Sequence, residues 1–145
     1  MAIDLGVKTG IAVYNSKGNL ISYKSQNYGN AKRLKKAIYQ ILREQENLKF
    51  LYLEGGGKLD KFWVKQADKL GITTKQIHAE TWRKKLFPKG QADYHSKPVK
   101  ILAEKQAKEI LKAHAFPIPE NLNKDVSEAI LIGLYGCIDQ GWITK

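Results

Sequence analysis

An acidic residue ends the first apolar run of the chain, and this placement restricts the fold more than any other feature of the sequence. Residues 1–5 read Met-Ala-Ile-Asp-Leu, a turn containing glycine follows, and residues 11–14 form a second apolar run. Two apolar runs joined by a short glycine turn predict neighbouring β-strands. A carboxylate at the end of a buried strand is costly unless a cation, a metal or hydrogen-bond donors meet it. Asp4 is therefore the first candidate for chemistry, and hydrogen bonds from the following turn are the alternative explanation.

The rest of the sequence predicts an α/β order of elements. Strands are predicted at residues 1–5, 10–14, 20–23, 49–53 and 75–78, and helices at 30–47, 59–70, from a Thr81 cap, from Pro98 after a Ser96 cap, and at 124–139. The polar segment 89–95 has no periodicity, and we expect a mobile loop there. This order predicts one domain over residues 1–145, with a mixed sheet of three antiparallel and two parallel strands flanked by helices.

Four acids lie where solubility does not require an acid. Asp4 and Glu54 end apolar strands, whereas Asp125 and Glu128 lie three residues apart at the start of an apolar helix. Adjacent parallel strands end at the same edge of a sheet, and residues i and i+3 share one face of a helix. We expect the four carboxylates to converge if the last helix begins over that edge. Taken singly, the helix acids also suit the helix dipole, and Glu54 before three glycines also suits a solvated strand end.

Converging carboxylates would form a metal site. Bare carboxylates at such density repel one another, and divalent cations that prefer oxygen ligands relieve the repulsion. Two Mg²⁺ ions about 3.5 to 4 Å apart activate water and stabilise the leaving oxygen of a phosphodiester. The three histidines are too scattered along the chain to suggest a further metal set. The acids therefore favour hydrolysis of phosphodiesters assisted by Mg²⁺, for which Mn²⁺ is expected to substitute.

The charge of the chain favours a polyanionic partner. Lysine and arginine number 25 against 14 acids, which gives a formal net charge of +11. Such an excess concentrates nucleic acid, although generic solubility is the alternative explanation. No stretch approaches the roughly 20 apolar residues of a membrane span. The start of the chain does not resemble a signal peptide, and its single cysteine allows neither an internal disulfide nor a cysteine zinc site. We therefore expect a reducing, cytoplasmic location.

At these motifs the chain resembles the RuvC-type Holliday-junction resolvases of the ribonuclease H-like superfamily, in particular their short phage and viral forms. The matching segments are residues 3–6 (Ile-Asp-Leu-Gly), 9–13 (Thr-Gly-Ile-Ala-Val), 51–54 (Leu-Tyr-Leu-Glu) and 125–129 (Asp-Val-Ser-Glu-Ala). The resemblance implies a ribonuclease H-like fold and a homodimer that cuts four-way DNA junctions with two Mg²⁺ ions. It also implies four metal ligands, with Asp4 bridging both ions: Asp4, Glu54, Asp125 and Glu128. The last of these is Glu where the family usually has Asp.

The same resemblance suggests residues that contact DNA. Lys97 corresponds to a family lysine near the scissile phosphate, and a solvated cation beside a helix cap is the alternative. Phe62 or Trp63 would stack on opened bases at the junction centre, with Phe62 the better candidate. The alternative is that the two rings fill the buried stripe of their helix or a dimer interface, and for Trp63 this explanation is at least as good. The further cations expected at phosphates, several of which a solvated helix face also explains, are Lys8, Arg83, Lys84, Lys85 and Lys100.

Other functions fit the sequence less well. The opening Asp-Leu-Gly-Val-Lys-Thr-Gly also resembles a nuclease relative that processes pre-rRNA, but residues 53–55 and the region of Trp82 match that relative poorly. A glycine turn between two strands can also hold ATP phosphates in actin-like and sugar kinases, but that fold needs two such domains and exceeds 145 residues. We therefore expect no nucleotide cofactor. A catalytically silent nucleic-acid-binding module is the remaining alternative, and the four intact acids argue against it.

Overall fold

A five-stranded sheet organises the protein in a computed structural model that describes residues 1–87 and 97–144. The strands are β1 (Ala2–Asp4), β2 (Lys8–Tyr14), β3 (Leu20–Asn27), β4 (Phe50–Glu54) and β5 (Thr73–Ile77). The helices are α1 (Ala31–Arg43), α2 (Asp60–Lys69), α3 (Ala79–Leu86), α4 (Lys97–Ala113) and α5 (Lys124–Asp139). Among these residues, no helix is long and apolar enough to cross a membrane.

The sheet has the predicted mixed topology. Its strand order is β3-β2-β1-β4-β5, in which the first three strands are antiparallel and β4 and β5 add in parallel. The parallel register pairs Asp4 directly with Glu54, and the backbone N–H of Leu5 donates to the carbonyl of Glu54 at 2.9 Å. The strand-end acids of the sequence therefore lie side by side at one edge of the sheet.

Several element boundaries differ from the predicted ones. β3 continues to Asn27 because it pairs with β2 as far as Lys8, and α1 ends at Arg43, before Asn47 adopts a φ of 59°. The predicted cap at Thr81 is wrong: α3 begins at Ala79 after an extended His78, and Thr81 lies within the helix. The predicted loop at 89–95 and the Ser96 cap lie outside the described residues.

Alternation along the strands divides the side chains between two apolar layers. Ile3, Leu51 and Leu53 join one core cluster with residues of α1 and α2, whereas Ala2 and Tyr52 join another with residues of α3, α4 and α5. Side chains two residues apart on a strand share a face. Asp4 and Glu54 therefore project from the face that α5 covers, at the point where the strands end.

Small residues let α5 lie close to the sheet. A Cβ at Gly10 of β2 would collide with the backbone carbonyl of Asp125, and one at Gly133 would collide with the ring of Tyr14. The Tyr14 hydroxyl donates to the carbonyl of Ile130 at 2.7 Å, which ties the helix to the strand. This close contact brings the first turns of α5 to the carboxyl ends of β1 and β4.

Candidate metal centre

Three carboxylates converge where β1 and β4 end under the start of α5. One oxygen each from Asp4, Glu54 and Glu128 lies within 4.8 Å of the other two. Glu54 and Glu128 are buried, and Asp4 is partly buried. We call this group the acidic centre. The structure brings together three of the four acids that the sequence predicted to converge.

The fourth acid, Asp125, lies beside the acidic centre. It occupies the first turn of α5, where the Asn123 side chain caps the helix by accepting from the backbone N–H of Asp125 at 2.8 Å. Its carboxylate faces the ammonium group of Lys8 at 3.9 Å. The charge of Asp125 still contributes to the raised pKa of Asp4. Lys8, predicted to contact DNA, is exposed and sits next to the acidic centre through this ion pair.

Burial and mutual repulsion make the acidic centre unfavourable for negative charge. Burial, followed by the charges of Glu128 and Glu54, raises the pKa of Asp4 from 3.8 to about 9. Burial and then the charge of Glu128 also raise the pKa of Glu54. Both shifts favour the protonated form in the absence of a cation. A cation that binds these carboxylates would displace their protons.

The donors suit a hard divalent cation. The three groups offer carboxylate oxygens, which are the ligands that Mg²⁺, Mn²⁺ and Ca²⁺ take in proteins. Within the part of the chain that the structure describes, this cluster includes no thiolate or imidazole that would select zinc. The acidic centre therefore fits a metal of this class.

Positive groups surround the acidic centre. The Arg83 guanidinium, on α3, is buried and donates from Nη2 to Glu128 Oε1 at 2.8 Å. The charge of Lys124 partly offsets the raised pKa of Glu54. Lys100 and Lys124 line a cleft of about 240 Å³ between α4 and α5 that reaches Glu128. A larger cleft of about 410 Å³ lies at the opposite end of the strands and contains none of the predicted site residues.

The predicted DNA contacts separate into exposed and buried groups. Lys84, Lys85 and Lys100 are exposed, and Lys84 also forms an ion pair with Glu80 within α3. Arg83 instead lies inside, against Glu128. Residue 83 lies one helical turn before the buried Leu86, and this spacing indicates an inward-facing side chain but does not identify its partner. Lys97 begins α4, but its side chain lies outside the described part of the chain.

The two aromatic candidates for base stacking occupy different environments. Trp63 is fully buried in the core between the sheet and the helices α1 and α2. Phe62 is only partly buried at the edge of that core, and the ammonium group of Lys35 lies 5.2 Å from the centre of its ring. Phe62 is therefore the ring that offers surface to a ligand.

Comparison with known proteins identifies the fold. No protein-family model matches the chain, and no curated protein matches it by sequence. Among solved structures, Thermus thermophilus RuvC in complex with a Holliday junction substrate matches with a TM-score of 0.64 at 10% identity, over 96% of this chain and 92% of that one. This chain has a RuvC-type fold.

A second solved structure gives the same result. Another structure of Thermus thermophilus RuvC matches with a TM-score of 0.62 at 12% identity, covering 96% of this chain and 93% of the other. This agrees with the ribonuclease H-like fold that the resemblance to RuvC-type resolvases implied. At this identity the comparison establishes the architecture, and the chemistry must be argued from the acidic centre itself.

Proposed function

We propose that this chain is a metal-dependent endonuclease that cuts four-way DNA junctions. The observation that carries the proposal is the acidic centre, in which three carboxylates from three separate elements converge within 4.8 Å. The RuvC-type fold and the net charge of +11 support a nucleic-acid substrate. The RuvC structure that resembles this chain holds a Holliday junction substrate, which makes a branched DNA the first substrate to test.

Asp4, Glu54 and Glu128 would hold the metal, and Asp125 would complete a site for a second ion. When bound, Mg²⁺ or Mn²⁺ supplies an activated water and stabilises the charge that develops on the phosphate and the leaving oxygen. The protein contributes a fixed set of carboxylate oxygens on rigid strand ends and the start of a helix. Asp4 is central in this set because it pairs with Glu54 in the sheet, and because the charges of both helix acids contribute to its raised pKa.

The cations near the acidic centre would position the DNA backbone. Lys8, Lys100 and Lys124 are exposed around it, and Lys84 and Lys85 extend the positive surface along α3. Such cations bind phosphates without reading sequence, and binding that depends on them weakens as salt rises. Lys97, at the start of α4, is proposed to lie near the scissile phosphate. Phe62 is proposed to stack on an unpaired base.

A homodimer is part of this proposal. Paired cuts across a four-way junction require two centres acting on one DNA, and a twofold dimer supplies them with matching geometry. Sedimentation of the protein with and without a synthetic junction tests this point. A complex with two protein chains per junction supports it, whereas one chain per junction contradicts it.

A substrate panel tests the proposed activity. Four-way junctions, three-way junctions, flaps and RNA–DNA hybrids are incubated with the protein in Mg²⁺, Mn²⁺ or EDTA. We expect symmetric nicks in the four-way junction only when a metal is present. Asp4→Asn should bind the junction without cutting it. Asp139→Asn is the control for loss of a carboxylate outside the acidic centre, because Asp139 accepts hydrogen bonds from Tyr52 and Lys75 at the far end of α5; it should cut normally at a temperature at which it remains folded.

Three other results of the substrate panel would contradict the proposed activity. Cleavage of RNA or of hybrids with intact junctions contradicts the resolvase proposal and favours the ribonuclease alternative. Junction binding without cleavage in either metal favours a catalytically silent binding module. Normal cutting by Asp4→Asn contradicts the metal centre itself.

A further inference from the structure

A buried cation contacts the acidic centre from outside the set of predicted ligands. The side chains of Arg83 and Glu128 are 8% and 6% exposed, and their charged atoms lie 2.8 Å apart. The pair joins α3 to α5 across 45 residues of sequence. Removing two charges from water is costly, and their mutual attraction offsets this cost only when the geometry of the pair is excellent. We therefore expect this buried ion pair to have a function at the acidic centre.

The charges of the acidic centre explain what this pair does. Asp4, Glu54 and Glu128 carry a formal charge of −3 when they are all ionised, and their oxygens lie within 4.8 Å. Arg83 reduces the formal charge of the group to −2, which one divalent cation neutralises. Its hydrogen bond engages Oε1 of Glu128, so the other oxygen of that carboxylate can still serve as a ligand.

We propose that Arg83 is a positioning residue, a built-in counter-ion that holds Glu128 beside Asp4 and Glu54 before any metal binds. The inference rests on the proposed role of the acidic centre as a metal site. Without Arg83, the buried carboxylate of Glu128 has lost its cationic partner in the metal-free protein, and the stability of the fold then depends more strongly on a divalent cation. With Arg83, the ligands are in place in advance, and the entropy of ordering Glu128 has already been lost.

Arginine is suited to this position. Its guanidinium stays charged when buried, stacks on aromatic rings and is more weakly hydrated than an ammonium group. The guanidinium carbon of Arg83 lies 5.0 Å from the centre of the Trp82 ring, and Trp82 is itself fully buried. The neighbouring Lys84 pairs with Glu80 on the exposed side of the same helix and serves as a matched control.

Thermal unfolding of the full chain without DNA tests the inference. The proteins are the unchanged chain, Arg83→Met, Arg83→Lys and Lys84→Met, each in EDTA and in saturating Mn²⁺. In EDTA, Arg83→Met should lower Tm by about 10 °C, because one charge of a buried pair loses its partner. Mn²⁺ should restore part of this loss. We expect Mn²⁺ to raise the Tm of Arg83→Met by about 5 °C more than it raises the Tm of the unchanged protein. Arg83→Lys should lie between the two, and Lys84→Met should match the unchanged protein.

The double variant Arg83→Met with Glu128→Gln distinguishes an uncompensated charge on Glu128 from a general folding defect. If an uncompensated Glu128 causes the loss, removing its charge as well should recover stability in EDTA, even where Arg83→Met alone does not fold. Equal instability of the single and double variants overturns the inference. Equal losses of Tm in EDTA and in Mn²⁺ also overturn it, because a merely structural ion pair predicts that result.

The unchanged protein separates this inference from the proposed function. If Mn²⁺ raises its Tm and Arg83→Met shows no larger gain, the role of Arg83 is wrong and the metal centre stands. If Mn²⁺ does not raise the Tm of the unchanged protein, the metal centre is wrong and the role of Arg83 fails with it. Absence of junction cleavage leaves the Arg83 measurement valid, because no DNA takes part in it.

Discussion

In the metal-free protein, the acidic centre is expected to lower the stability of the fold as pH rises. Burial and three neighbouring carboxylates raise the pKa of Asp4 from 3.8 to about 9. The folded state thus binds this proton more tightly than the unfolded chain does. Its contribution is therefore fully present below the unfolded pKa and is lost as pH rises towards the folded pKa. One proton changes stability by ~1.4 kcal/mol per pH unit, which gives a loss of about 4 kcal/mol from about pH 5 to about pH 8.

Asp4→Asn removes the titrating group and keeps the shape of the side chain. In EDTA, we expect its free energy of unfolding in urea to exceed that of the unchanged protein by about 2 kcal/mol at about pH 5 and by about 6 kcal/mol at about pH 8, because the unchanged protein loses stability over the whole interval above the unfolded pKa of 3.8. Mn²⁺ should stabilise the unchanged protein and leave the variant nearly unaffected, since a ligand that binds only the folded state stabilises it. The variant expected to abolish cleavage is thus also expected to be the more stable protein.

Asp139 provides the opposite case within the same chain. Hydrogen bonds from Lys75 and Tyr52 lower the pKa of Asp139, so its carboxylate stabilises the fold above the unfolded pKa and loses this effect as pH falls. Asp139→Asn should therefore destabilise the protein at neutral pH.

The Asp4 prediction has a clear contrary outcome. If Asp4→Asn is no more stable than the unchanged protein in EDTA at about pH 8, the charge of Asp4 does not destabilise the metal-free fold.

Packing and charge lead to four further predictions. Gly10→Ala should lower the free energy of unfolding by about 1 to 3 kcal/mol in thermal denaturation, because its Cβ would collide with the backbone of α5. Trp63→Ala should cost about 3 to 5 kcal/mol in urea unfolding, because the ring is fully buried. Phe62→Ala should lower the free energy of unfolding less than Trp63→Ala does, but it should weaken junction binding by about 1 to 3 kcal/mol in gel-shift titrations. Raising salt from about 50 to about 200 mM should weaken junction binding at least about tenfold, and binding that does not respond to salt would argue against phosphate contacts.

The fold and most of the acidic centre were predictable from the sequence because they follow from short-range patterns. An apolar strand that ends on an acid occurs twice, at Asp4 and at Glu54, and parallel pairing places two such ends together. Residue spacing on α5 then assigns Asp125 and Glu128 to one helix face. The close approach of α5 to the sheet supplies the remaining step, and Gly10 marks it in the sequence.

The partners of the acids could not be predicted, because they depend on how distant elements pack. Arg83 follows a tryptophan and precedes two exposed lysines, so a positive cluster suggested DNA, whereas the fold turns its guanidinium inward to Glu128. The ion pair between Lys8 and Asp125 likewise joins a strand to a helix more than a hundred residues later in the chain. Neither pair leaves a periodic pattern in the sequence.

Crystals grown or soaked with Mn²⁺ and measured near the manganese absorption edge would show whether the acidic centre binds a metal ion. We expect an anomalous peak among the carboxylates of Asp4, Glu54 and Glu128, with a second peak beside Asp125 when two ions bind. The peak should disappear in Asp4→Asn. Crystals that contain Mn²⁺ elsewhere and show no anomalous density at these carboxylates would contradict a metal-binding role for the acidic centre.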